Sequence, residues 1–181
     1  MYDRWYAGPL REKLKRPFVH LMFGARQTGK STLLNALLPP ETLRIDLSDP
    51  EQRSRHLTRP GEFLALCRAL PAKKKGQLVF ADEVQSVPTI LDAVQHLYDG
   101  DKERWRFVLC GSSARKLRRT GANLLPGRSF LHRLYPLTLA EHPSPILSVP
   151  DGVSPLPLLW EEAPSRPFPS CDLESRLAYG A

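Results

Sequence analysis

The stretch Gly24-Ala25-Arg26-Gln27-Thr28-Gly29-Lys30-Ser31 constrains the fold more than any other part of the chain. It fits G-x-x-x-x-G-K-[ST], the pattern of a phosphate-binding loop. A mostly apolar run, Phe18 to Phe23, comes before it. Leucines at helical spacing follow from Thr32 to Leu38, and Pro39-Pro40 ends the helix. The local order is therefore strand, tight turn, helix. Glycine backbone can approach an anion closely there, and its N–H groups form a nest. The helix N-terminus adds about half an elementary positive charge. The nucleotide-binding segment runs through Gly24, Ala25, Arg26, Gln27, Thr28, Gly29, Lys30, Ser31 and Thr32. Lys30 is expected to reach the β- and γ-phosphates, and the Ser31 hydroxyl to ligate Mg²⁺.

A second motif follows downstream. Leu78-Val79-Phe80-Ala81 is an apolar strand ending in Asp82-Glu83, which matches a Walker B element. Adjacent strand residues face opposite ways, so the two carboxylates can take different tasks. Asp82 is the candidate Mg²⁺ ligand. Glu83 is the candidate base that orients and deprotonates an attacking water, a role worth roughly 10²–10⁴ in rate. After the next strand, Ser112 or Ser113 can hydrogen-bond that water or the γ-phosphate; each can equally cap the helix that follows. Arg128, just before the last strand, is the candidate arginine finger, reaching the γ-phosphate of a neighbouring subunit. Arg133 competes with it, although a place inside the strand favours structural pairing.

The rest of the chain alternates strands with helices. Helical stretches are expected at Trp5 to Lys15 (helical or irregular), Gly61 to Leu70, Pro88 to Asp99 closed by Gly100, and Ser112 to Thr120. Ser48 to Gln52 reads as a helix start, with Asp49 as N-cap, Pro50 first and Gln52 as reciprocal partner. Capping accounts for Asp49 without a nucleotide or metal role for it or for Asp46. Strands are expected at Thr42 to Leu47, Gln77 to Ala81, Trp105 to Cys110 and Phe130 to Leu134. The alternation implies a mainly parallel sheet with helices on both faces and ligands at the carboxyl ends of the strands. From about His142 prolines crowd the chain, and residues 142–181 read as a linker or tail with a weak helical onset at Leu173 to Tyr179.

The formal net charge is +7. Lys73-Lys74-Lys75 and Lys116, Arg118 and Arg119 admit a DNA contact, although a triphosphate site itself calls for positive charge. Cys67, Cys110 and Cys171 have neither disulfide nor zinc spacing, which suits a reducing cytoplasm. Cys110 reads as a small core residue. No apolar run approaches a membrane span of about 18–20 residues, and no apolar h-region follows the charged N-terminus. The five histidines are scattered, stand at no ligand spacing and receive no chemistry.

Four ordered segments carry a family resemblance: Phe23 to Thr32, Ala81 to Gln85, Cys110 to Leu117, and Leu134 to Thr138 with Glu141. Together they resemble a prokaryotic AAA+-type P-loop ATPase family whose members join this module to a C-terminal domain of uncharacterised function. The resemblance covers Tyr2 to Glu141. It implies an α/β three-layer sandwich with strand order 5-1-4-3-2, and ATP with Mg²⁺ held by Lys30, Ser31 and Asp82. It also implies Glu83 in the Walker B pair, Ser112 or Ser113 as sensor, and a domain over residues 1–141. Family members continue into a second domain where this chain ends at Ala181, so a fragment or truncated product is expected. The leading function is Mg²⁺-dependent ATP hydrolysis driving or timing a conformational change. The alternatives are a nucleotide-binding switch with negligible turnover and an ATP-controlled DNA-associated protein.

Overall fold

Apolar residues occupy almost every position of the central strands, so those strands need cover on both faces. The computed structural model supplies it. Residues 4–71, 75–119 and 125–137 are described, without the side chains of Lys116 and Arg118. The expected boundary at residues 141–142, the proline-rich segment, Lys73, Lys74 and Cys171 lie outside the described residues. In chain order the elements are α1 (Ala7–Lys13), β1 (Val19–Phe23), α2 (Lys30–Leu37), β2 (Leu43–Asp46), α3 (Pro50–Thr58) and α4 (Glu62–Ala69). They continue with β3 (Gln77–Asp82), a 3₁₀ turn (Val84–Ser86), α5 (Ile90–Gly100), β4 (Trp105–Gly111), α6 (Ala114–Arg119) and β5 (Ser129–Arg133). Among the described residues no helix is long and apolar enough to cross a membrane.

All strand pairings are parallel, in the order β2-β3-β4-β1-β5. This is the expected 5-1-4-3-2 arrangement read from the other edge. Alternate residues sort to opposite sides. Val19, Leu21 and Phe23 of β1, Val79 and Ala81 of β3, and Phe107 and Leu109 of β4 pack with Phe63 of α4 and Leu91 and Val94 of α5. Met22, Phe80, Val108 and Cys110 pack on the other side with Leu10 of α1 and Leu33 and Leu34 of α2. Each fully buried Leu, Phe or Val contributes about 1.5–3 kcal/mol. The two apolar layers thus hold the sheet between helices on both faces.

Register decides where function can lie. Phe23 is level with Gly111 of β4 and Arg133 of β5, and Asp46 is level with Asp82. The segments that follow β1, β3 and β4 therefore emerge side by side at one edge, where ligands of such sheets bind.

Three local details differ from the sequence reading. Gln52 was expected to bond the Asp49 backbone; it donates instead to Asp49 Oδ2 at 3.2 Å, and its oxygen accepts the Asp46 N–H at 3.2 Å. β2 is an edge strand, so that outward N–H has no neighbouring strand to bond. Asp49 does cap α3, accepting the Glu51 N–H at 2.9 Å, followed by Pro50 in the first turn. Gly100 was expected to close α5, but it remains within the helix. The chain leaves through Asp101 in an extended conformation, and Asp101 Oδ1 accepts the Arg104 N–H at 2.9 Å, so no left-handed residue is needed.

The third concerns the histidines, which are not all scattered. His20 and His132, 112 residues apart, meet on adjacent strands with Nδ1 and Nε2 3.0 Å apart. Tyr6 Oη lies 2.8 Å from His132 Nδ1, and His20 Nε2 lies 3.2 Å from the Arg16 carbonyl. With both rings neutral every donor finds an acceptor. Tyr6 O–H donates to His132, His132 to His20, and His20 to Arg16. This chain fastens the α1 region to β1 and β5.

Candidate nucleotide site

The loop after β1 is shaped by two left-handed residues, Gln27 (φ 62°) and Gly29 (φ 81°), with Thr28 between them. Backbone of this kind turns successive N–H groups toward one side. Gly29 is also the N-cap of α2, so the helix starts at Lys30 with its positive end on the same side. Gly24 is needed for another reason. A Cβ there would overlap the carbonyl oxygen of Leu134, where the chain leaves β5 alongside β1, with the Leu134 N–H on the Phe23 carbonyl at 2.9 Å. Ala25 O accepts from Lys30 Nζ at 2.6 Å and from Thr28 Oγ1 at 3.0 Å. Lys30 is only 5% exposed, and this bond folds its ammonium back across the loop.

Arg4 supports the loop from behind, a contact the sequence gives no sign of. Its guanidinium donates to Thr28 O at 2.9 Å and to Tyr135 O at 2.6 Å, joining the loop to the segment beyond β5.

At the end of β3, Asp82 Oδ1 accepts the Glu83 N–H at 2.8 Å. The Cys110 thiol on β4 is pushed well above its ordinary range by burial, then by the charge of Asp82 and its hydrogen bond with it. Cys110 is thus an inert core thiol, as expected, and Cys67 likewise is pushed up to about 12 by burial. Glu83 stands in the left-handed region (φ 53°, ψ 41°), which costs a non-glycine residue roughly 1–2 kcal/mol. Strain of this kind collects at functional positions. Its carboxylate is held in place. Gln85 Nε2 donates to Glu83 Oε2 and, at 3.0 Å, to Ser112 Oγ, while Ser112 Oγ donates to Glu83 Oε2 at 3.4 Å. Gln85 fits because Gly111 has no side chain: a Cβ there would overlap Gln85 Oε1. Among the described residues that buried oxygen has no hydrogen-bond partner.

These pieces enclose one cavity of about 780 Å³. Arg26, Gln27, Gly29, Lys30, Ser31 and Thr32 form one wall. Glu83, Ser112 and Ser113 join it from β3 and β4, together with Gln85 and Ser86. Ser48 and Arg53 close it from the β2–α3 side. Of the sequence-predicted residues, Gly24, Ala25, Thr28 and Asp82 stand off this wall, as do Asp46 and Asp49. Asp46 Oδ1 accepts the Ser48 N–H at 2.9 Å.

Arg128 is not brought to the cavity. Val19 at the start of β1 donates its N–H to Arg128 O at 3.1 Å, so this arginine lies at the amino ends of the strands, opposite the loop. Its Nε is 2.6 Å from Asp99 Oδ1, and the guanidinium holds that carboxyl below its usual range. Arg133 ends β5 at the loop's end of the sheet but is exposed and off the cavity wall.

The donor set suits a triphosphate with a hard cation. A ring of loop N–H groups, one buried ammonium, one serine hydroxyl and an adjacent carboxylate is oxygen-and-nitrogen chemistry. Among the described residues there is no group of three His, Cys, Asp or Glu side chains able to hold a metal. Mg²⁺ shared with phosphates needs only one or two protein oxygens.

The parallel sheet and the glycine loop at a helix N-terminus define a P-loop NTPase architecture of α/β type. A model of the AAA domain matches residues 16–142, and the chain belongs to that family. No curated protein matches the sequence. Among solved structures, one described as the structural basis for DNA unwinding at forked dsDNA by two coordinating Pif1 helicases is similar. It shares 12% identity over 76% of this chain and 45% of that one, with a TM-score of 0.44. PCH-2 of C. elegans shares 14% identity over 76% of this chain and 41% of its own, with a TM-score of 0.42. The chain spans less than half the length of either.

Proposed function

We propose that this AAA domain binds ATP with Mg²⁺ and hydrolyses the β–γ phosphoanhydride, and that turnover drives or times a conformational change. One observation carries this reading: a single cavity joins the α2 N-terminus, with Lys30 and Ser31, to a Glu83 carboxylate held by Gln85 and Ser112. Lys30 exchanges the Ala25 carbonyl for the β- and γ-phosphates. Ser31, and Asp82 through water from behind the cavity wall, would hold Mg²⁺, which neutralises phosphate charge when bound. Glu83 accepts a proton from a water as that water's oxygen attacks the γ-phosphorus, and ADP leaves with the bridging oxygen. Gln85 and Ser112 fix the carboxylate's direction, which matters because misaimed bases lose rate steeply. Ser113 shares the wall and directly precedes α6, a position that suits sensing and capping alike.

A second reading, a nucleotide switch with negligible turnover, is favoured by the position of Arg128. Paired with Asp99 at the far end of the sheet, it supplies no finger to its own cavity. It serves as one only across a contact between two copies. Steady-state ATP turnover over a range of protein concentrations, beside Glu83→Gln, separates the two. Turnover rising more than linearly and lost in the variant supports a hydrolase completed between copies. Binding without turnover at any concentration supports the switch. DNA attachment through Lys116, Arg118 and Arg119 predicts DNA affinity that falls steeply with salt.

A further inference from the structure

The geometry points to Arg53 as a residue that reads the γ-phosphate from within the same chain, so that the site distinguishes a nucleoside triphosphate from a diphosphate; this rests on the nucleotide reading above. Arg53 lies in α3, one turn beyond the Asp49 cap, and helical side chains lean back toward the N-terminus of their helix. It therefore leans toward the carboxyl edge of the sheet, where it lines the cavity with Ser48.

The sheet order fixes which part of a nucleotide it faces. β2 is three strands from β1, about 14 Å at the usual strand spacing, and it adjoins β3. Arg53 thus approaches from the wall opposite Lys30, on the side of Glu83. A phosphate chain seated at the α2 N-terminus with its terminal group turned to Glu83 and Ser112 presents that group to Arg53.

The guanidinium is also uncommitted. Among the described residues its one hydrogen bond is from Nη1 to Leu47 O at 3.4 Å, at the weak limit. Among the described residues no carboxylate forms an ion pair with it, whereas Arg55, two residues on, pairs with Glu51 at 3.0 Å. Arg44 is consumed by Asn35 and by the carbonyls of Leu38, Pro39, Pro40 and Thr42. A half-buried arginine with free donors on the wall of that cavity is suited to bidentate recognition of phosphate oxygens.

The test is calorimetric titration of the full chain with Mg²⁺·ATPγS and with Mg²⁺·ADP, for the parent, Arg53→Ala, Arg53→Lys and Lys30→Ala. Arg53→Ala should weaken ATPγS about 10–100-fold and leave ADP within about twofold, with an unchanged melting temperature. Arg53→Lys should recover part of the loss. Lys30→Ala should weaken both nucleotides. Equal weakening of ATPγS and ADP by Arg53→Ala, or no weakening of either, overturns the role of Arg53 while leaving nucleotide binding intact. A parent chain that binds neither nucleotide overturns the underlying reading and this inference with it.

Discussion

Gln85 and Gly111 are fitted to each other: the amide oxygen of Gln85 occupies the space that any Cβ at position 111 would need. Phe23 Cε1 lies 3.2 Å from the same point, so an added methyl group is confined on two sides. The Gln85 amide nitrogen is also what holds Glu83 and Ser112 together.

Gly111→Ala should therefore act on chemistry more than on binding. The methyl displaces the flexible end of Gln85 and frees the Glu83 carboxylate, leaving the loop around Lys30 as it was. ATP turnover is expected to fall about 10–100-fold with nucleotide affinity within about threefold. Overpacking should cost about 1–3 kcal/mol of stability, read by denaturant unfolding. Unchanged turnover in a folded variant would show that Gln85 does not position the base.

The loop and the acid pair were legible because each is a local pattern whose spacing has a chemical reason, and the strand order came with the family resemblance. What the sequence concealed is what tertiary packing brings together. Arg53 reaches the cavity from a neighbouring strand's helix, Arg4 meets Thr28 and Tyr135 from the chain's beginning, and His20 meets His132 across two strands. Gln85 left a faint signal, an amide two residues past the acids in a turn between Val84 and Val87. Arg128 stands away from its own cavity for a reason topology supplies: in a parallel sheet a residue before a strand emerges at the end away from the loop.

Gly24 and Gly8 give a paired test of where glycine is required. A Cβ on Gly24 overlaps the backbone of Leu134, which cannot rotate away as a side chain can. A Cβ on Gly8, within α1, meets nothing within 4 Å, and its φ is not positive. Gly24→Ala should destabilise the chain by about 2 kcal/mol or more, because β5 or the loop must shift. Gly8→Ala should stabilise it by about 0.5–1 kcal/mol, by reducing the freedom of the unfolded chain and favouring helix. Guanidinium unfolding of both variants checks the pair; equal effects would refute the close approach at Leu134.

The buried histidine pair should make stability fall with acid before most carboxylates titrate. His132 is lowered from 6.5 to about 4, chiefly by burial and then by the charges of His20 and Lys13. His20 is lowered too, by burial first, with its bond to Arg16 opposing and Arg106 adding to the effect. A second proton on either ring would also break the donor order from Tyr6 to Arg16. Between about pH 6.5 and 4 the unfolded chain takes up protons that the folded chain refuses. The native state therefore loses stability as pH falls, and above 6.5 this contribution is complete. A shift of this size corresponds to about 3 kcal/mol for His132 once pH has dropped below 4. Urea unfolding at pH 7, 6 and 5 should show the midpoint declining across that range, and NMR titration should place the His132 ring midpoint near 4. A midpoint near 6.5, or stability unchanged between pH 7 and 5, would mean that the pair accepts a proton in the folded state.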